Sequence, residues 1–300
     1  MTDRTRLSGL TRRRFLIAGG TGAGAMLLGA CGSGGEDTTG ATVADTGDLV
    51  LVQYFGGPSL VAGRESRAPF GVADANGALP VDRTPTSLSV SILGPDGEEA
   101  RAPIEVERRA AGLPRAYFPL RFTAETPGFY TARVEFDGVA AEMAMKVDAA
   151  KDVVVIQPGA SLPALATPTV ADARGVDPIC TRDPVCSLHD VSVAQALDQG
   201  APIALLVSTP AFCQVAICGP VLDLLLAQVD AHPNVRFVHA EVYAHPGSDP
   251  DLRDSAAVVT ELGLHFEPCL VLAGSDGKVT DRLDNIFDET ELAEALGRLS

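Results

Sequence analysis

The 300-residue sequence contains no tryptophan, and aromatic residues make up only 5% of it. Aromatic packing falls to 11 phenylalanines and 4 tyrosines. Basic residues are scarce as well. Lys and Arg number 23 against 39 Asp and Glu, a net charge of −16. Such a chain repels phosphate backbones, so nucleic acid is not expected as a partner, and electrostatic attachment to anionic lipid gains no support. Beyond residue 30 no run is long and apolar enough to span a bilayer, which takes about 20 residues. Residues 48–148 hold no cluster of His, Cys and carboxylates, so neither catalysis nor metal binding is read there.

What is present begins at the N-terminus. Residues 11–16 read TRRRFL, followed by the uncharged IAGGTGAGAMLLGAC. A basic segment, an apolar segment and small residues before a cut are the layout of an export signal. The arginines before Phe15-Leu16 resemble a twin-arginine signal. The run LGAC at 28–31 resembles a bacterial lipobox, which implies cleavage before Cys31 and a diacylglycerol on its sulfur. A plain transmembrane anchor is the competing reading, but Phe15–Ala30 is short and glycine-rich for that. Residues 31–47 are Gly, Ser, Thr and Asp with little to bury, a flexible tether. The expectation is a protein outside the cytoplasm, held to the cell membrane by lipid on Cys31. Residues 1–30 carry five arginines and one aspartate, so their removal takes the charge from −16 to −20.

About 250 residues remain, enough for two domains. Residues 48–149 read as an all-β, immunoglobulin-like sandwich. Short strand-like runs recur about every ten residues, separated by turn signals such as Asn76-Gly77, Pro95-Asp96-Gly97 and Asp137-Gly138. In PGFYTARVEF, Phe129, Thr131, Arg133 and Glu135 fall on one face, and Tyr130, Ala132, Val134 and Phe136 on the other. A spacer or partner-binding role is expected for this part.

Residues 150–188 form a Pro-rich linker without periodicity, able to lie on a domain surface but not to build its own core. Cys180 and Cys186 lie within it, with His189 three residues on. A structural disulfide between Cys180 and Cys186 is the favoured reading, worth on the order of 2 kcal/mol in the loop-closure picture. A second redox pair and a metal site are the alternatives. Cys-x5-Cys-x2-His supplies three ligands with a fourth missing. His232, His239 and His245 read as surface or core residues rather than ligands.

From residue 189 to 300 strand and helix alternate in the order β-α-β-α-β-β-α, with Asp276-Gly277 at the hairpin turn. The closing helix is entered at Asp288 or Thr290. Between the first strand and its helix lies PAFCQVAICGP, with Cys213 and Cys218 five apart. A cysteine at a helix N-terminus meets unpaired N–H groups and partial positive charge, which favour the thiolate. Cys218 before Gly219-Pro220 fits that place. Residues five apart on one helix lie about 140° around the axis and roughly 8–9 Å apart. A disulfide needs Cα atoms within about 7 Å. Cys213 therefore belongs to a loop folding back over the helix start.

These features resemble the thioredoxin-like family over residues 200–300. Besides the dithiol, the resemblance rests on GLHFEPC, where Pro268 takes that family's cis-proline place, and on the LVLAGSDGKVTDRL hairpin with its final helix. It implies an α/β thioredoxin-like fold and thiol–disulfide exchange, but the fold also hosts inactive and copper-handling members. If ICGPV is laid on the family's W-C-G-P-C, Cys218 attacks, Val221 replaces the resolving cysteine, and Cys213 resolves from upstream. Alternatively Cys213 attacks and Cys218 resolves. No Asp stands at the buried proton-shuttle position, which Phe212 or Val207 occupies. Proton transfer then falls to water or to a residue such as His265. Cys269, following Pro268, is the odd cysteine: a third sulfur near the pair or a buried, inert thiol.

The leading expectation is exchange with the thiols and disulfides of exported proteins through Cys213 and Cys218, with no cofactor and no resident metal. A redox-inactive binding or scaffold lipoprotein is the first alternative. A copper(I) carrier is the second, since thiolates suit that ion.

Overall fold

The protein is described from a computed structural model over residues 49–213, 216–247 and 254–299. The expected export signal, lipid-bearing Cys31 and tether lie outside the described residues. The chain divides into residues 1–45 and a compact unit of residues 46–300, and the account below concerns that second unit.

The fold is mostly β-sheet. Nine strands come first: β1 (Val50–Gln53), β2 (Leu60–Val61), β3 (Glu65–Asp74), β4 (Gly77–Ala78), β5 (Ser87–Leu93), β6 (Glu99–Glu107), β7 (Phe118–Thr123), β8 (Gly128–Phe136) and β9 (Val139–Asp148). There follow helix α1 (Val193–Asp198), β10 (Ile203–Val207), α2 (Cys218–Leu226), β11 (Arg236–Ala240), α3 (Ala257–Glu261), β12 (Cys269–Ala273), β13 (Val279–Asp284) and α4 (Glu289–Leu296).

The first nine strands form two sheets. One has the order β1-β3-β4, with β7 also pairing β3, and the other runs β2-β9-β8-β5-β6. A shared apolar core lies between them, built from residues such as Phe70, Phe118, Phe122, Val90 and Met145. The two-residue alternation of β8 holds: Tyr130, Ala132 and Val134 are buried, while Phe129 is exposed. β6 escapes the sequence pattern because it is an edge strand with almost every residue in solvent.

The third sheet has the order β11-β10-β12-β13. β10 pairs parallel with β11 and antiparallel with β12. β10 and β12 are buried along their whole length, as an unbroken apolar run such as IALLV requires when both faces are covered. Alternation then divides their side chains. Ala204, Leu206, Leu270 and Leu272 join one core with Val221 and Leu225 of α2 and Leu292 of α4. Ile203, Leu205, Val207, Val271 and Ala273 join another with Val193 of α1 and Val258 of α3.

The Pro-rich segment belongs to these cores. Val155, Leu162, Leu165 and Val176 enter the α1/α3 side, and Cys180, Cys186 and Leu188 the α2/α4 side. The run DLRDSAAVVTELGL reads as one helix over residues 251–264, but of its described residues only Ala257–Glu261 form α3, because Ser255 bridges to Tyr243 and Ala256 is extended. No helix among the described residues is long and apolar enough to cross a membrane.

The first nine strands pack on the third sheet through a buried ionic network. The Arg67 guanidinium donates to both carboxylate oxygens of Glu291 on α4, each at 2.7 Å, and to the carbonyls of Asp284 and Ile286. Tyr117 completes it, donating to Glu291 Oε2 at 2.6 Å. Burial pushes the Glu291 carboxyl up, but the Arg67 charge and the hydrogen bonds from Arg67 and Tyr117 overcome it and hold the pKa at about 2. Asp288 caps α4 by accepting from Glu291 N at 2.9 Å, and its other oxygen accepts from the N–H groups of Ala110 and Ala111.

Candidate functional site

β10 ends at Val207, buried Ser208 and Thr209 follow, and a loop leads into α2 at Cys218. Cys218 occupies the first helical position, where the backbone N–H has no partner within the helix. That N–H donates to the Cys213 sulfur at 3.4 Å. The helix start is thus aimed at Cys213 in the preceding loop rather than at Cys218 itself. Cys218 is fully buried and Cys213 half-buried.

A carboxylate completes the group. One Glu267 oxygen and the sulfurs of Cys213 and Cys218 all lie within 4.8 Å of one another. Among the described residues, Glu267 Oε2 is buried without a hydrogen-bond partner. Burial, then the negative charges of Cys213 and Glu241, push the Glu267 pKa up to about 8. The Cys218 thiol is raised too, first by its hydrogen bond with Cys213, then by burial and by the charges of Cys213 and Glu267. Both shifts favour the protonated forms of Cys218 and Glu267.

Glu267 precedes Pro268, and the peptide bond between them is cis. Glu267 also lines an open groove of about 430 Å³ with Val207, Val242, Tyr243, His265 and Phe266. The loop joining β1 to β2 backs this wall. A Cβ on Gly56 would lie 3.0 Å from Phe266 Cβ, and one on Gly57, at φ +54°, 3.3 Å from His265 Cβ. The approach is close enough to require glycine there.

Glu267 was not singled out from the sequence; His265 was. His265 lines the groove, while the carboxylate beside the sulfurs is Glu267. Its place next to Pro268 was the available signal. Cys269 is fully buried at the start of β12, and its thiol donates to Asp284 Oδ1 at 3.8 Å. Burial raises its pKa well above the ordinary thiol range. Among the described residues it is not grouped with Cys213 and Cys218. Val221, at the place of the usual second cysteine, is a core residue of α2.

Cys180, Cys186 and His189 come together, and His239 joins them, all four buried. His239 is a fully buried residue, within the surface-or-core reading of the sequence, and it lies beside the two sulfurs and His189. β11 turns Phe237 and His239 to one face, and His239 N donates to the Leu188 carbonyl, so the histidine meets the segment carrying His189.

No family model and no curated protein matches this chain. Among solved structures it has weak similarity to MTB dsbF in its mixed oxidized and reduced forms. The identity is 18% over 47% of this chain and 100% of that one, with a TM-score of 0.32. The Lin-41 filamin domain is 14% identical over 33% of this chain and 91% of that one, TM-score 0.24. The ZirS C-terminal domain is 13% identical over 42% of this chain and 86% of that one, TM-score 0.21. These overlaps are too slight to carry an assignment.

Proposed function

We propose that this chain is a thioredoxin-like thiol–disulfide exchanger, exported and tethered by lipid on Cys31, acting on exported proteins through Cys213 and Cys218. The observation that carries the reading is the helix-terminal N–H of Cys218 on the Cys213 sulfur, with the carboxyl of Glu267, whose Oε2 has no partner among the described residues, beside both sulfurs. The sheet order β11-β10-β12-β13, with the dithiol between β10 and α2 opposite cis-Pro268, supports the fold reading. The two sheets of residues 50–148, antiparallel except where β2 joins β9 in parallel, support an immunoglobulin-like sandwich. The basic-apolar-LGAC order of residues 11–31 supports export and lipidation.

The two sulfurs divide the work. Cys213, half-buried and bonded by a helix N–H, is the attacking thiolate. It bonds to one sulfur of a client disulfide, whose S–S bond breaks, and the leaving sulfur takes a proton from solvent. Cys218 then gives its proton to Glu267 and attacks the Cys213 sulfur. The mixed disulfide breaks, and the second client sulfur takes up the proton from Glu267. Two electrons pass to the client, and Cys213–Cys218 becomes a disulfide. A carboxyl with pKa about 8 suits this shuttle near neutral pH. A second dithiol from another protein returns the pair to its reduced form. The groove beside Glu267 offers room for an extended client segment.

Reduction of insulin disulfides, followed by turbidity, tests the proposal. Wild type is expected to turn over, and both Cys213→Ser and Cys218→Ser to lose turnover. Cys218→Ser should in addition accumulate a mixed disulfide through Cys213. Equal, negligible turnover in all three proteins, with no trapped adduct, overturns the reading in favour of a scaffold. Copper(I) bound by wild type and lost in Cys213→Ser would instead mark a carrier.

A further inference from the structure

A second group of soft and nitrogen ligands lies outside the dithiol. We propose that Cys180, Cys186, His189 and His239 form a closed tetrahedral site for one zinc-class divalent cation. The geometry matches the ion. Zn–S bonds of about 2.3 Å and Zn–N bonds of about 2.0–2.1 Å at tetrahedral angles put sulfur and nitrogen about 3.5 Å apart. Cys180 Sγ lies 3.6 Å from His239 Nδ1, Cys186 Sγ 3.5 Å from the same atom, and Cys186 Sγ 3.3 Å from His189 Nε2. All four ligand atoms fall within 4.8 Å of one another.

The His239 tautomer is set for this role. Its Nε2 lies 3.0 Å from Ser208 Oγ and 3.2 Å from the Ser208 carbonyl. A carbonyl only accepts, so Nε2 carries the proton and Nδ1 turns its lone pair to the cysteines. His189 Nδ1 has no hydrogen-bond partner among the described residues, so His239 is the better-anchored ligand.

Electrostatics point the same way. The group sits in the apolar core with Tyr54, Leu188 and Leu222, where an uncompensated charge is costly. Two thiolates, two neutral imidazoles and a divalent cation sum to zero charge. Copper(I) would leave one negative charge in that core. Four protein ligands leave no open position, which makes the site structural rather than catalytic.

Its place in the fold gives it a task. It fastens the segment around Cys180–His189 to β11. From that segment Thr181 N donates to Glu241 Oε1 at 2.6 Å, Thr181 Oγ1 accepts from Ala211 N at 3.1 Å, and Arg182 pairs with Asp223 of α2 at 2.9 Å. The metal would therefore brace the loop and helix that carry the dithiol.

The test is reconstitution of the full chain, reduced, with zinc chloride, followed by gel filtration and elemental analysis. One zinc per chain is expected, retained in a Cys213→Ser/Cys218→Ser double variant and lost in Cys186→Ser and His239→Ala. Because those last two variants can fail to fold, two measurements on wild type accompany them. Cobalt(II) loading should give thiolate charge-transfer bands and intense tetrahedral d–d bands. Cys180 and Cys186 should resist alkylation until a chelator is added. A reduced, folded chain that takes up no zinc and whose Cys180 and Cys186 alkylate at once overturns the proposal. So does zinc that leaves with the Cys213/Cys218 substitutions, and so does a Cys180–Cys186 disulfide that after reduction still yields no metal binding.

Discussion

Replacing Glu291 with Gln should destabilise the protein by about 3–5 kcal/mol at pH 7, the usual cost of stripping one partner from a buried ion pair. The side chain keeps its size, but the amide presents a donor where Arg67 and Tyr117 both need an acceptor. The Arg67 guanidinium would keep its bonds to the carbonyls of Asp284 and Ile286 and lose its counter-charge. The pH dependence gives an independent magnitude. Glu291 moves from its ordinary 4.5 to about 2 on folding. At about 1.4 kcal/mol per unit this is about 3 kcal/mol. A depressed carboxyl pKa contributes stability above the unfolded value, so this term is complete above about pH 5 and fades as pH falls toward 2. About 2 kcal/mol of it should be gone by pH 3. Urea unfolding followed by far-ultraviolet circular dichroism at pH 7 and pH 3 measures both quantities. The penalty of Glu291→Gln should shrink by about 2 kcal/mol at the lower pH. Arg67→Met in the same chain should recover much of the loss, since removing both charges spares the orphaned one. A penalty below about 1 kcal/mol that does not change with pH would show that the network does not bind the first nine strands to α4 as described.

Substitutions at two further positions have expected outcomes. Glu267→Gln should slow resolution of the mixed disulfide by about 100-fold or more, the usual reach of a positioned acid–base group. The same substitution should raise the melting temperature above about pH 8. A carboxyl whose pKa rises to about 8 on folding costs stability increasingly between about pH 4.5 and 8, and the amide has no such cost. Stopped-flow trapping and melting curves at pH 5 and 9 read the two effects, and a variant unchanged in both would remove Glu267 from the mechanism. Asp288→Ala should cost about 2–4 kcal/mol, because it removes the α4 cap and the acceptor for Ala110 and Ala111 together. Asp288→Asn, measured by the same urea unfolding, should lose less.

Local pattern carried a good part of the architecture. The alternation of PGFYTARVEF appears in β8 as buried Tyr130, Ala132 and Val134, and the unbroken IALLV is the buried strand β10. Cys218 does begin its helix with Cys213 outside it, the placement that a disulfide between residues five apart would require. β6 was hidden because an exposed edge strand has no apolar face to alternate. His239 and Glu267 were hidden for another reason. Their signals are single residues whose meaning depends on neighbours far along the chain, 59 positions for the Cys180–His239 contact. In NVRFVHAEVY the alternation already put Phe237, His239 and Glu241 on one side, but nothing local said which segment would cover it.

The sequence by itself determined where the cysteines fall and where the backbone turns: Cys213 in a loop before Cys218 at a helix start, the proline before Cys269, the Pro-rich segment holding Cys180 and Cys186, and the capped last helix. Periodicity, turn residues and helix geometry act over a few residues, so they can be read in a line. Only the tertiary structure decided which groups share a space. It put Glu267 beside two sulfurs, turned the helix N–H of Cys218 onto Cys213, set Cys269 apart with Asp284, and brought His239 to Cys180, Cys186 and His189. Those outcomes follow from packing both faces of one sheet at once, a constraint that belongs to the whole chain.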